Sequence, residues 1–283
     1  MTASASPVPT VTLNNGVAIP QLGFGVFQIA PAETKKWTLE ALEVGYRHID
    51  TAEMYGNEAE VGQAVRASGI DRADIFVTSK LNNPFHHPDQ VRRAFQGTLD
   101  ALEIGYVDLF LIHWPLPMID VDYLDTWKAM EDLLASGGVR AIGVSNFEIA
   151  HLQRLIDEAS VVPAANQIEL HPYLTQNGLR DFDRAHGIAT EAWSPIAQGK
   201  VLDDPAIGAV AREIDRTPAQ VVLRWHLQRG EIVFPKSATK SRVEENFALF
   251  DFELSDEQMG AITGLNRDER IGPHPDTFDY MPT

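Results

Sequence analysis

Ile75-Phe76-Val77-Thr78-Ser79-Lys80 is a short apolar run that closes on an ammonium. The same design flanks it: His48-Ile49-Asp50 upstream closes on a carboxylate, and Leu109-Phe110-Leu111-Ile112-His113 downstream closes on an imidazole. A fourth polar residue, Tyr55, lies five positions past Asp50. Strands that end in ionisable side chains, repeated along a βαβα chain, predict a barrel whose strand ends converge on one reaction centre. The alternation holds in both directions. Strands are expected at Gln21–Gly25, His48–Asp50, Ile75–Lys80, Val107–His113, Ala141–Val144, Ala165–Ile168, Ala189–Trp193 and Ile232–Pro235, which makes eight.

Helical segments fill the gaps. Val91, Ala94, Phe95, Thr98, Leu99 and Leu102 share one helical face, and Leu152, Leu155, Ile156 and Ala159 repeat the spacing. Further helices are expected at Ala32–Val44, Glu58–Ala67, Tyr123–Ala135, Gly178–Ala185, Pro218–Gln228 and Arg242–Ala248. Asp204-Pro205 opens an extra helix, and Ser255-Asp256-Glu257-Gln258 is a capping box opening another, with Met259 and Ile262 facing inward. Val11-Thr12-Leu13 and Val17-Ala18-Ile19 flank Asn14-Asn15-Gly16, a hairpin placed to plug the barrel bottom. The fold class is α/β, a (β/α)8 TIM barrel with an N-terminal hairpin and extra helices near the C-terminus. It is expected to form one domain over 1–283, with 1–10 flexible and 267–283 a loop over the surface.

The formal net charge is -17, from 23 basic against 40 acidic residues, which disfavours nucleic acid and anionic membrane surfaces as partners. A hydrophobic fraction of 44% supplies an ample core. The chain has no cysteine, which excludes disulfides, thiolate catalysis and thiolate-bound metals. No signal peptide or membrane-length apolar run is apparent, so a cytoplasmic protein is expected.

Asp50, Tyr55, Lys80 and His113 together make a proton-donating set. The phenol is the natural acid, since an adjacent ammonium can lower its pKa; the carboxylate holds that ammonium, and the imidazole can orient a carbonyl oxygen. Singly, each has a plainer explanation: a helix cap, a loop tyrosine, a surface lysine, a satisfied histidine. Jointly, their placement at the ends of strands two, three and four favours catalysis. Gly143-Val144-Ser145-Asn146-Phe147 is no nucleophile elbow, because Phe147 stands where the second glycine belongs. Gly23-Phe24-Gly25 lacks the third glycine of a dinucleotide fingerprint, having Gln28 there, and is expected to be a tight turn. His86-His87 is expected on a solvated loop, and no metal is expected. Lys236, Ser237, Lys240 and Arg242 crowd the segment between the eighth strand and a helix, a placement common for phosphate sites; a solvated basic turn is the alternative.

Gly45-Tyr46-Arg47-His48-Ile49-Asp50-Thr51-Ala52 with Tyr55-Gly56-Asn57-Glu58, Leu109–Pro115, Gly143–Phe147 and Phe234–Asn246 resemble four signatures of the aldo-keto reductase family. The match runs from the hairpin to about Gly264. Asn166-Gln167-Ile168-Glu169-Leu170-His171-Pro172 and Val222-Leu223-Arg224-Trp225-His226-Leu227-Gln228 are most similar to the bacterial 2,5-diketo-D-gluconate reductase branch. The resemblance implies a barrel that reduces aldehydes and ketones with NADPH. Tyr55 would protonate the carbonyl oxygen, Lys80 would depress its pKa, Asp50 would hold Lys80, and His113 would orient the substrate. Ser145, Asn146 and Gln167 would bind the nicotinamide carboxamide, Trp193 would stack on the ring, and Ser194 and Pro195 would follow it in the cofactor site. Lys236, Ser237 and Arg242 would take the 2′-phosphate, with Glu245 and Asn246 on the adenine. Phe27, Asn82 and Trp114 would line the substrate pocket; Asn82 departs from the family, where many members carry tryptophan, and should widen or polarise the mouth.

The resemblance also implies a monomer acting on a small carbonyl compound, either a keto-sugar acid such as 2,5-diketogluconate or a reactive dicarbonyl. Two other classes compete. One is an NADPH-binding regulatory or sensor protein with little turnover. The other is a barrel aldolase or isomerase using Lys80 as a Schiff base, which requires a neutral lysine that Asp50 disfavours.

Overall fold

The chain begins its regular structure with a hairpin, β1 (Thr10–Thr12) and β2 (Ala18–Pro20), paired antiparallel around the Asn14-Asn15-Gly16 turn. The computed structural model describes residues 8–282. The flexible segment expected at 1–10 therefore lies mostly outside the described residues, and Thr10 already belongs to β1. Gly16 turns the chain with φ +85°, a conformation open to glycine, and Asn14 and Asn15 tie the turn to the carbonyls of Pro163 and Arg140. Leu13 and Ile19 are buried against Phe76, Ala141, Ala165 and Ile232, residues at the starts of core strands. The hairpin closes the barrel bottom, as expected.

The core follows as β3 (Phe24–Gly25), α1 (Pro31–Val44), β4 (His48–Asp50), α2 (Glu58–Ala67), β5 (Phe76–Leu81), α3 (Pro88–Leu102), β6 (Val107–Ile112) and α4 (Tyr123–Ala135). It continues with β7 (Val139–Ser145), α5 (Ile149–Glu158), β8 (Ala165–Glu169), α6 (Asn177–Ala185) and β9 (Ala189–Trp193). The last elements are α7 (Pro205–Glu213), α8 (Pro218–Gln228), β10 (Ile232–Val233), α9 (Lys240–Phe247) and α10 (Asp256–Thr263). Strands β3 to β10 lie side by side in chain order, all parallel. A bridge between Leu22 and Val233 joins the first to the last and closes the barrel.

That seam explains the two short strands. Pro235 has no N–H, so the ladder of β10 stops two residues before the expected end. Across the seam, a Cβ on Gly25 would lie 2.7 Å from the Phe234 carbonyl oxygen. Gly25 is therefore a close-approach residue of the strand itself: Phe24 and Gly25 pair with Ile49 and Asp50, so the tight turn expected at Gly23-Phe24-Gly25 is instead β3.

The helices pack as their periodicity requires. Val91, Phe95, Thr98 and Leu102 of α3 are buried, as are Leu152 and Leu155 of α5. Burying each such aliphatic or aromatic side chain stabilises the fold by roughly 1.5–3 kcal/mol. Both extra helices form, and the Ser255 capping box is complete: Gln258 N–H donates to Ser255 Oγ at 3.2 Å, and Ser255 N–H to Gln258 Oε1 at 2.9 Å. Helix α9 begins two residues earlier than expected, at Lys240, because Thr239 carbonyl already accepts the Arg242 and Val243 amides. No helix among the described residues is long and apolar enough to cross a membrane.

Candidate active site

The barrel order delivers Asp50 at the end of β4, Lys80 one residue before the end of β5, and His113 just past β6. Tyr55 closes a one-turn 3₁₀ segment, Glu53–Tyr55, which folds the loop after β4 back over the strand ends. Lys80 is completely buried. Its Nζ lies 2.9 Å from both Asp50 oxygens, 2.9 Å from the Thr51 carbonyl and 3.3 Å from Tyr55 Oη. The His113 ring stands edge-on to Tyr55, with centroids 5.7 Å apart. All four residues of the proton-donating set converge.

Electrostatics assign each a state. Burial works against the Lys80 ammonium, but Asp50 and Tyr55 outweigh it and hold the pKa above the ordinary lysine value. Burial first, and the Lys80 charge second, push His113 well below the usual histidine range, so its ring is neutral. Tyr55 departs from expectation. Burial raises the phenol above its ordinary value, and the Lys80 charge offsets this only in part. In the protein alone the phenol is a firmly protonated donor, not an acidified one.

A further layer was not expected. Gln167 Nε2 donates to Asp50 Oδ2 at 2.8 Å and to Glu191 Oε2 at 2.9 Å. Glu191 is wholly buried in the barrel interior. A signal for it exists in the sequence: Ala189, Glu191 and Trp193 alternate onto one face of β9, and a carboxylate on the inward face of a parallel strand is exceptional.

The expected nicotinamide residues form one connected set. Ser145 Oγ donates to the Gln167 carbonyl at 2.9 Å, and Asn146 Nδ2 donates to the His113 carbonyl at 2.9 Å and to Ser145 Oγ at 3.1 Å. Trp193 Nε1 donates to Asn146 Oδ1 at 2.8 Å. Asn146 and Ser194 both adopt left-handed φ, 64° and 49°, which winds the chain tightly at the strand ends. The Pro195 carbonyl pairs with His226 Nε2 at 3.0 Å.

At the other end of the mouth, Ser237 is buried and its Oγ accepts the Thr239 amide at 3.1 Å. Lys236 and Arg242 are exposed, without an ion pair among the described residues, whereas Lys240 is engaged by Glu40 and Glu244. Glu245 accepts the Thr217 hydroxyl at 2.7 Å and so also steadies the start of α8; Asn246 is buried.

The pocket residues behave differently from one another. Phe27 is 50% exposed and leans on Tyr55, centroids 4.9 Å apart. Trp114 is buried under Phe278 at 4.2 Å. Asn82 is buried, and its carbonyl oxygen accepts the Asn83 amide at 2.8 Å and so caps a local turn. His86 corrects another expectation. It is buried beside Thr126, and burial pushes its pKa down to about 4; only His87 is exposed. Among the described residues no group of three or more His, Asp or Glu side chains converges as a metal site would.

Among the described residues the tail past 267 has no helix or strand, but it crosses the mouth instead of lying on a remote face. Glu169, the last residue of β8, accepts Ile271 N–H at 2.6 Å and Gly272 N–H at 3.0 Å. A Cβ on Gly272 would lie 2.5 Å from the Trp193 ring. Phe278 then covers Trp114, and the Tyr280 carbonyl accepts Asn83 Nδ2 at 2.8 Å. Glu169 obeys the same strand-end rule as Asp50 and Lys80, and that rule could have found it.

The aldo/keto reductase family model matches residues 21–267. The chain belongs to this family. It is therefore an oxidoreductase, and the barrel found here is the fold of its solved relatives. It is 47% identical over 272 residues to an aldo-keto reductase of Mycobacterium sp. (strain JLS), covering 96% of this chain and 98% of the relative. It is 47% identical over 273 residues to methylglyoxal reductase DkgA of Escherichia coli (strain K12), covering 95% of this chain and 98% of the relative. The crystal structure of a Gox0644 mutant in complex with NADPH superposes with a TM-score of 0.93 at 43% identity, covering 97% of this chain and all of the other.

Proposed function

We propose that this aldo/keto reductase uses NADPH to reduce small dicarbonyls and related aldehydes and ketones to alcohols, with Tyr55 as proton donor. The observation that carries this is the buried Asp50–Lys80 pair beneath the half-buried Tyr55 hydroxyl, with neutral His113 against the phenol ring. The methylglyoxal reductase name of the E. coli relative supports the substrate class.

The residues present fit the cofactor. Exposed Lys236 and Arg242 beside buried Ser237 would hold a 2′-phosphate, and an Arg there gives charge-assisted, bidentate bonds that NADH cannot receive. Glu245 and Asn246 would meet the adenine. Ser145, Asn146 and Gln167 would hold the carboxamide, Trp193 would support the ring face, and Ser194 and Pro195 continue that wall. NADPH, when bound, supplies the hydride.

The chain's own residues handle the proton and the fit. Tyr55 Oη gives its proton to the carbonyl oxygen as negative charge develops there. Lys80, fixed as a cation by Asp50 and the Thr51 carbonyl, steadies the phenolate left behind. The same fixation disfavours a Schiff-base role. His113, neutral, orients the oxygen toward the phenol without competing as a charge. Phe27, which leans on Tyr55, and Trp114, which Phe278 of the tail covers, would wall the pocket.

The test is loss of NADPH absorbance on adding methylglyoxal, with Tyr55→Phe as the blank. Removing a positioned general acid should lower kcat by about 10²–10⁴-fold. The variant should still quench on binding NADPH; full activity in it would remove Tyr55 from the mechanism.

A further inference from the structure

The barrel interior holds a carboxyl that the reaction proposed above does not use. Glu191 is the middle residue of β9, in register with Gln167 of β8 and Ile232 of β10. Gln167 Nε2 bridges it to Asp50, giving a continuous line: Glu191 Oε2 to Gln167 at 2.9 Å, Gln167 to Asp50 at 2.8 Å, Asp50 to Lys80 at 2.9 Å, and Lys80 to Tyr55 at 3.3 Å. The other Glu191 oxygen, Oε1, is buried with no hydrogen-bond partner. An ionised carboxylate buried with one oxygen lacking a protein partner is strongly disfavoured, so the neutral acid is the form this interior suits.

We infer that Glu191 is a positioning residue for the Tyr55 proton: through Gln167 it governs the placement of Asp50, and through its own charge and that placement the proton affinity of Lys80 and Tyr55. This rests on the reading of Tyr55 as the donor. The charged groups that act on Glu191 are Asp50 from β4 and Lys80 from β5, while β8 offers it the neutral Gln167 and β10 the aliphatic Ile232. With Glu191 protonated, Asp50 and Lys80 balance each other. When Glu191 ionises, the interior gains an uncompensated negative charge, and both Lys80 and Tyr55 hold their protons more tightly. Burial, followed by the Asp50 charge, raises the Glu191 acid to about 7, which puts that change within the working pH range. The sign is then set: Tyr55 becomes a weaker donor, and reduction slows, as pH rises through neutrality.

Two titrations of the full chain without added cofactor test this independently of turnover. The first is infrared difference spectroscopy of wild type against Glu191→Gln. It should show the carbonyl stretch of a buried carboxylic acid that disappears as pH rises through about 7. In Asp50→Asn the same band should disappear at lower pH, because the charge that raises Glu191 is gone. The second is tyrosinate absorbance, read as wild type minus Tyr55→Phe and repeated with Glu191→Gln in both. The Tyr55 phenol should titrate lower in the Gln background by on the order of one unit, the scale of a charge a few ångströms away. The kcat for methylglyoxal should then lose its fall above neutral pH in Glu191→Gln.

Absence of the acid band at every pH, a band indifferent to Asp50→Asn, or superimposable Tyr55 titrations would each overturn the inference. If wild type turns over no carbonyl compound, the proposed function fails while both titrations still decide the role of Glu191. If Glu191→Gln does not fold, the wild-type band and its response to Asp50→Asn decide it.

Discussion

The floor and the rim of this site are built on opposite principles. On the floor, Asp50, Lys80, Gln167 and Glu191 are all buried, and each takes its partner from another barrel strand. At the rim, Lys236 and Arg242 stand in solvent, and the walls around Trp114 and Trp193 are positioned by a tail without regular structure. The floor is thus bound up with the stability of the barrel itself, whereas the rim can change with little consequence for folding. Damage to the floor should appear in kcat and stability together. Damage to the rim should appear in affinity alone.

The largest effect should come from Lys80→Met. It removes the ammonium that supports the phenolate and leaves Asp50 buried without its counter-charge. Breaking a buried pair from one side costs about 3–5 kcal/mol, so thermal or urea denaturation should show a marked loss of stability along with near-abolished kcat. A variant that lost activity but kept wild-type stability would break the distinction, because it would mean the floor is not load-sharing with the fold.

Next in size is Arg242→Ala. Its guanidinium is exposed and makes no ion pair within the described residues, so stability should not move. A lost charge-assisted bond is worth about 1.5–3 kcal/mol, and NADPH should bind about 10- to 100-fold more weakly. Binding of NADH, measured by the same fluorescence quench, should be nearly unchanged. Equal losses for the two nucleotides would take Arg242 off the 2′-phosphate.

What could be read in advance follows the same division. The strand ends Asp50, Lys80 and His113 were legible because barrel topology converts a position in sequence into a position in space. Glu191 was overlooked because its meaning depends on which face of β9 is inward and on Gln167 reaching it from β8. His86 runs against its expected exposure for a related reason: it sits in a short turn whose burial is imposed by a neighbour, α4, which covers it. The rise in the Tyr55 pKa was missed because the sequence reveals the neighbouring lysine but not the depth of burial that outweighs it. The path of the tail was invisible, since Pro, Asp and Gly specify a loop and not its anchors.

The smallest effect sharpens the comparison most, because it tests where rim and floor meet. Gly272 is pressed against Trp193, and its amide is held by Glu169 from the end of β8. In Gly272→Ala the new methyl would lie 2.5 Å from the indole and 3.0 Å from Glu169 Oε2, so the tail or the ring must shift. Overpacking of this kind costs about 1–3 kcal/mol where the surroundings are rigid, but the tail has no regular structure and can shift between its flanking anchors, Arg270 on Glu148 and Tyr280 on Asn83, and absorb most of it. Stability should therefore fall only slightly. The shift should instead reach Trp193 and, through its bond to Asn146, the carboxamide set, raising the KM for NADPH several-fold with kcat within about twofold of wild type. A kcat that fell as steeply as KM rose would show that the tail is anchored as rigidly as the barrel strands, and that the rim belongs mechanically to the floor.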